Sequence, residues 1–338
     1  MSAERVVVLT TGGTIACRRD ANGDLAPTAH TDVLQGVPAA LAAHAEVRPL
    51  GHVLGTALSP ADLFAVSQAA REALARPEVV GAVITAGTGI LEEGCFLSAL
   101  LNDTGKPVVW TGAQRSSDVV DADGPRNVTA ALAVALDRDT PRVGARALLC
   151  FNDTIFSAED AQKTHTTNVA AFEAAGAGPL GHWDGTRVFW RQRAWPRPTF
   201  VAPALTADVD LIKLVAGSDE RFFRASIAAG ARGIIVETFP GTGVVSPGAA
   251  RGMALAREAG LCVGLAARSR RGRVQPLYGG ELGGVALVRQ GVLFAGDLAP
   301  EKARLLLMVL LSLFRDHEQV AAAWATYVDA ATSICPAR

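Results

Sequence analysis

Hydrophobic positions along the chain fall into two alternating kinds of segment. Short β-branched apolar runs occupy 5–9, 79–85, 107–111 and 145–151. Between them lie stretches with apolar residues at helical spacing, over 60–75, 91–102 and 125–137, the second closed by Asp103-Thr104-Gly105. Strands separated by helices of this length predict βαβ units and a parallel sheet. Runs that are apolar at nearly every position predict strands covered on both faces. The pattern breaks at Arg191-Gln192-Arg193-Ala194-Trp195-Pro196-Arg197-Pro198, where two prolines, two residues apart, end any helix or central strand. Alternation resumes with Val209–Val215, a helix over 218–229, Gly233–Glu237, a helix over 247–259, Cys262–Leu265 and a long helix over 300–314. The predicted fold class is α/β with two domains, a number that suits a chain of 338 residues. A larger N-terminal domain with a mostly parallel sheet spans 1–190, a linker 191–207, and a smaller C-terminal α/β domain 208–338.

Charge and cysteine usage narrow the class of partner. Thirty-two Lys and Arg against 33 Asp and Glu leave a net charge of -1. No basic field is available for nucleic acid or an anionic membrane, so neither is expected as a partner. The longest apolar stretch, 303–314, is shorter than the ~18 residues a membrane span needs, and the N-terminus is too short and punctuated for a signal peptide. Cys17, Cys95, Cys150, Cys262 and Cys335 are dispersed without a CxxC pair, which predicts reduced thiols and a cytoplasmic location. The six histidines show no HxxxH spacing, so neither a metal nor another cofactor is expected.

Ligands of an open parallel sheet bind beyond the carboxyl ends of its strands. Thr10-Thr11-Gly12-Gly13-Thr14-Ile15-Ala16 follows the first run, Ala86-Gly87-Thr88-Gly89 the second, and Gly112-Ala113-Gln114-Arg115-Ser116-Ser117 the third. Asp121-Ala122-Asp123-Gly124-Pro125 is predicted to cap the next helix, and Lys163-Thr164-His165 comes after the fourth run. Glycines let backbone N–H groups approach a ligand closely, and helix N-termini add donors for an oxyanion. A Thr hydroxyl is a poor nucleophile until a base takes its proton, and a buried Lys with a lowered pKa can be that base. Each feature alone has a plain reading: a turn, a helix cap at Thr88, a solvated surface lysine. Their recurrence at successive strand ends points to a site. The GxxxxGK[ST], GxGxxG and GxSxG patterns are absent, and Cys17 has no histidine near it in sequence, so nucleotide and thiol chemistry are disfavoured. The polar 17–33 segment, with Arg18 and Arg19, reads as a mobile lid.

Taken in order, these segments resemble the bacterial-type asparaginase/glutaminase family. The resemblance is carried by Thr11-Gly12-Gly13-Thr14-Ile15-Ala16, by Gly87-Thr88 with Leu91-Glu92-Glu93, and by Lys106-Pro107-Val108-Val109. It continues through Gly112-Ala113-Gln114-Arg115, Ala122-Asp123-Gly124-Pro125-Arg126-Asn127, Lys163-Thr164 and Gly178-Pro179-Leu180-Gly181. Asp210-Leu211-Ile212-Lys213-Leu214 and Pro300-Glu301-Lys302-Ala303-Arg304-Leu305-Leu306 extend it into the C-terminal half. The resemblance implies a two-domain asparaginase-like fold and hydrolysis of a small-molecule amide to acid and ammonia, without a cofactor. It also implies a homo-oligomer built as a dimer of dimers, with sites completed across an intimate dimer. Thr14 would be the nucleophile, Thr88 and Lys163 a second hydroxyl–base pair, and backbone near Gly13 and Thr88 the oxyanion hole. Gly13, Thr56, Ala57, Gly87, Gly89 and Ala113 would line the substrate.

Several positions depart from the family pattern. Gly89 stands where the family has an Asp that pairs with the lysine and binds the substrate's α-ammonium. The only tyrosines are Tyr278 and Tyr327, so the family's loop tyrosine is missing. Gly55-Thr56-Ala57 replaces a Ser-Gln or Ser-Asp pair, and Gly241-Thr242-Gly243-Val244 a Gly-Asn-Gly-Asn. An ammonium desolvated without its carboxylate loses ~2–5 kcal/mol, roughly 30- to 4,000-fold in binding. The substrate expected is therefore an amide without a free α-ammonium, or a bulkier one. An ordinary L-asparaginase with a relocated acid, and a non-catalytic amide- or amino-acid-binding protein, stay open at this stage.

Overall fold

A computed structural model describes residues 4–28, 32–53, 55–205, 208–241 and 243–330, in two compact units, Met1–Val201 and Ala202–Arg338. The first unit begins with strands β1 (Arg5–Gly12), β2 (Cys17–Arg19) and β3 (Leu25–Pro27), helix α1 (Ala39–Ala42) and strand β4 (Ala45–Val53). It continues through α2 (Pro60–Leu74), β5 (Val79–Thr85), α3 (Leu91–Leu101), β6 (Val108–Thr111) and α4 (Gly124–Leu136). Six strands follow: β7 (Ala147–Phe151), β8 (Thr154–Ser157), β9 (Gln162–Lys163), β10 (Phe172–Glu173), β11 (Gly181–Trp183) and β12 (Val188–Trp190). An eight-stranded sheet has the order β12-β11-β8-β7-β6-β5-β1-β4. The five strands β4, β1, β5, β6 and β7 are parallel, and β8, β11 and β12 add antiparallel to them.

Alternate residues of the parallel strands serve opposite faces. Val6, Val8, Val83, Val109, Leu148 and Cys150 pack with Val128, Ala131, Leu132 and Ala135 of α4. Trp110, one residue after Val109, turns to the other face and lies fully buried against α3. Its Nε1 donates to Ser98 Oγ (3.0 Å), which in turn lies 2.9 Å from Ser67 Oγ of α2. Gly94 makes room for the indole, since a methyl group there would stand 2.4 Å from the ring. Helix α2 opens with a capping box between Ser59 and Asp62 and with Pro60 in its first turn.

Strand β4 has no counterpart among the runs read from the sequence. It is an edge strand, carrying Glu46, Arg48 and Pro49, with Val47 and Leu50 exposed. Charge and proline keep an edge from pairing further, and they also hide its apolar signal. The 191–201 part of the expected linker runs along the first unit: Ala194 N–H donates to Val143 O (2.9 Å) and Phe200 N–H to Leu100 O (2.7 Å). The division between the units falls at Val201/Ala202, inside the stretch expected to link them.

The second unit comprises β13 (Val209–Lys213), α5 (Arg221–Ala228), β14 (Gly233–Thr238), α6 (Pro247–Glu258) and β15 (Cys262–Ala267). After these come α7 (Gly284–Arg289), β16 (Leu293–Phe294), α8 (Pro300–Leu313) and α9 (His317–Asp329). Its four strands are parallel and lie in chain order. Phe223 of α5 and Ala249, Met253 and Ala256 of α6 pack with Ile212, Ile234, Val236, Val263 and Leu265. The apolar run near 303–314 is the buried helix α8, with Leu307 against Gly233 of β14. No described helix is long and apolar enough to cross a membrane. Thr242 and Cys335 lie outside the described residues.

Candidate active site

Four strand ends of the first unit meet through glycines. Gly12 and Gly13, after β1, have φ of 103° and 83°. A Cβ at Gly13 would stand 2.4 Å from Gly87 N, one at Gly87 2.8 Å from Gly55 Cα, and one at Gly112 2.4 Å from Ala86 O. No other residue type permits backbones to approach this closely. The segments after β1, β4, β5 and β6 thus form one floor at the carboxyl edge of the sheet, where ligands of such sheets bind.

Thr14 begins a single 3-10 turn, Thr14–Ala16, just beyond Gly13. Its side chain is half-buried, and its hydroxyl makes no hydrogen bond to a described residue. The turn is anchored by Ile15, buried against Gly124, and by Cys17, whose thiol donates to Gly13 O (3.3 Å). Burial pushes the Cys17 thiol up, away from the thiolate a nucleophile needs.

Thr88 does not cap a helix. The N-cap of α3 is Ile90, and Thr88 is only 7% exposed. Its Oγ1 accepts from Lys163 Nζ (2.7 Å) and donates to Gln114 Oε1 (2.9 Å). Gln114 Oε1 also accepts from Lys163 Nζ (3.2 Å). Lys163 belongs to the short β9–β10 pair, and its backbone N–H donates to Glu92 Oε2 of α3 (3.0 Å). Burial pushes the Lys163 ammonium below the ordinary lysine value, and the Glu92 charge opposes that in part. No described carboxylate hydrogen bonds to Nζ.

Gly89 is exposed, has no left-handed backbone, and a Cβ there would meet only Thr56 Cγ2 at 3.8 Å. Neither conformation nor space requires glycine at this position. Thr56 and Ala57 are exposed in the turn Gly55–Ala57, and the Thr56 methyl is the neighbour of Gly89. Ala113 points its methyl into the core beside Gly124, which leaves only its backbone to face a ligand.

One sequence expectation needs correction. Asp123 stands at the N-cap of α4, but its side chain makes no capping bond. Its carboxylate instead accepts from Gln114 N–H (3.0 Å), Arg115 N–H (2.9 Å) and Asn127 Nδ2 (3.2 Å). It pins the loop that carries Gln114. The polar segment after Thr14 contains the β2–β3 hairpin, whose Arg19 N–H donates to Asp118 Oδ2 (2.8 Å) and whose Arg18 Nε donates to Ser117 Oγ (3.4 Å). Residues 29–31 of that segment lie outside the described residues. Gln114 and Glu92 join the site without a mark in the sequence. An amide has no titration or nucleophilicity to mark it in a sequence, and its position one residue past Ala113 was the available signal. Among the described residues no three His, Cys, Asp or Glu side chains cluster to hold a metal ion.

Comparison with known proteins bears on both units. A family model described as "Asparaginase, N-terminal" matches residues 5–196, and one described as "Glutaminase/Asparaginase C-terminal domain" matches 208–323. The "L-asparaginase" of Bacillus licheniformis is 29% identical over 315 residues, 93% of this chain and 97% of its own length. The "Probable L-asparaginase" of Deinococcus radiodurans is 33% identical over 327 residues, 94% and 96% of the two chains. The "Glutaminase-asparaginase" of Acinetobacter glutaminasificans is 29% identical over 334 residues, 93% and 97%. Two family models in tandem, and relatives matched almost end to end, decide the ancestry: this chain belongs to the asparaginase family.

Proposed function

We propose that the protein is an amidohydrolase with Thr14 as nucleophile, acting on a small amide that lacks a free α-ammonium. Thr14 Oγ adds to the amide carbon while its proton passes to the base at Lys163 by way of Thr88. Backbone N–H groups beside Gly13 and Thr88 bind the oxyanion. The C–N bond then breaks, the nitrogen takes up a proton and leaves as ammonia, and water hydrolyses the Thr14 ester to free the acid. The observation that carries the catalytic part is Lys163 Nζ at 2.7 Å from Thr88 Oγ1 in a mostly buried setting. Hydroxyl and amine at that distance suit proton transfer.

The specificity part rests on what stands around the amine. Its second partner is an uncharged amide, and position 89 offers no carboxylate although it has room for one. The charge of Asp123 is engaged with Gln114, Arg115 and Asn127. Succinamate, which is asparagine without its α-amino group, is therefore expected to release ammonia with a higher kcat/KM than L-asparagine, and T14A to abolish release from both. Efficient turnover of L-asparagine by the wild-type protein would return the reading to an ordinary L-asparaginase. Ammonia release from no amide in a panel would leave a binding protein. We place the enzyme in the cytoplasm as a dimer of dimers. Buried Cys17, Cys95, Cys150 and Cys262, none of them in a disulfide, support the compartment.

A further inference from the structure

The geometry points to Gln114 as the positioning residue of the Thr88–Lys163 pair: its side-chain amide holds both groups from an uncharged acceptor, where a carboxylate would fix the amine's charge. This deepens the functional reading above and rests on it for the role of Lys163 as base. Gln114 Oε1 accepts from Thr88 Oγ1 and Lys163 Nζ, while Nε2 donates to Asn168 O (3.0 Å) and Thr166 O (3.3 Å). All four hydrogen-bonding positions of the amide are filled. A flipped amide would set its N–H groups against two donors and its oxygen against two carbonyls, so the orientation is fixed by the network itself.

Both anchors of Gln114 are held in turn. The two carbonyls belong to a loop closed by Thr164 N–H on Ala171 O (2.8 Å), and by His165 Nδ1, which accepts from Thr167 N–H (3.1 Å) and Asn168 N–H (2.9 Å). At its other end, Gln114 N–H is held by Asp123. The position of Oε1 is therefore set from two independent segments.

An acceptor of this kind works in both protonation states of the lysine. With a charged Nζ, Thr88 keeps its proton on Oε1. With a neutral Nζ, the amine still donates to Oε1 and turns its lone pair to the Thr88 hydroxyl. Oε1 thus holds the amine in place while the proton moves. Charged or titratable groups on the segments around Lys163 include Glu92 of α3, Glu173 of the paired strand β10, His165 two residues along the chain, and Asp123 and Arg115 on the Gln114 loop, the last paired with Asp121 (2.7 Å). None of these bonds to Nζ, so a charge created at position 114 would be the first one in hydrogen-bonding contact with it.

The chain has four lysines, Lys106, Lys163, Lys213 and Lys302, so protein labelled with carbon-13 lysine gives few side-chain resonances, and the loss of one in K163M assigns Lys163. Its titration is then followed without any substrate, in wild type, Q114E and Q114M, each first checked for an unchanged thermal midpoint. Q114E is expected to raise the Lys163 midpoint by about one pH unit or more, as an opposite charge in contact does. Q114M, similar in size but without an acceptor, is expected to lower the midpoint. With succinamate it is expected to reduce kcat about 10- to 100-fold, within the range a base contributes, with KM little changed. Equal Lys163 midpoints in wild type and Q114E overturn the proposal. If Q114E fails to fold, Q114M decides: an unlowered midpoint or an unchanged kcat overturns it. A wild-type protein that releases no ammonia while its Lys163 responds as described removes the catalytic reading and leaves Gln114 as the residue that sets the lysine's titration.

Discussion

Position 89 separates two explanations of a missing side chain. A glycine forced by backbone or packing would say nothing about substrate. Gly89 is exposed, outside the left-handed region and close to one methyl only, at 3.8 Å. G89D should therefore fold, and it should raise kcat/KM for L-asparagine by roughly 30-fold or more relative to succinamate. A ratio of the two kcat/KM values that does not move would show that position 89 does not set the preference. Lys163 gives a second test, in pH. A base acts only when deprotonated, and burial lowers the value at which Lys163 loses its proton. Ammonia release should rise with pH along a limb below the ordinary lysine value of ~10.4, and K163M should lower kcat about 100- to 10,000-fold. Thr88 and Lys163 alone read as a helix cap and a surface lysine; it was the resemblance of their motifs to the family that paired them, and their side chains lie 2.7 Å apart. Gln114 was not legible in the sequence, because its role exists only once two donors from distant segments meet its oxygen.

Among elements, the strands and helices with full apolar signatures were readable, and the missing ones have physical reasons. Strand β4 mixes Glu46, Arg48 and Pro49 into its run, as an edge strand does. Strands β11 and β12 are three residues each, too short for a period. Helix α9, with Val320, Trp324 and Val328 on its buried side, follows α8 so closely that its pattern was lost in the tail. The packing of α3 on β6 is open to a direct test. In an exposed helix Gly→Ala is stabilising by up to ~1 kcal/mol. At Gly94 the added methyl would stand 2.4 Å from the fully buried Trp110 ring. Overpacking costs about 1–3 kcal/mol, so it outweighs propensity and G94A should lower the thermal midpoint by a few degrees. A midpoint that rises would mean the ring moves aside freely.

Over the whole molecule, the two units carry separate cores, and the parallel order of the second sheet and of the five parallel strands of the first followed from strands alternating with helices. How many copies associate is a proposal drawn from resemblance. Sedimentation velocity should find a tetramer that dilutes to dimers, and a monomer at micromolar concentration would refute it. Thiol chemistry tests the folded core independently. Cys17, Cys95, Cys150 and Cys262 are buried, and burial raises the Cys262 thiol to about 11 and Cys150 further. These four should react with an aromatic disulfide reagent only after unfolding, and fast reaction of several in native buffer would contradict the packing.

The contact of Gly13 with Gly87, and of Gly87 with Gly55, divides the neighbourhood into what can drift and what cannot. Any methyl at those three places would collide with main chain, which has no rotamer to yield. Room for substitution lies instead at the rim, where exposed Thr56 and Gly89 can be exchanged without disturbing the scaffold beneath them.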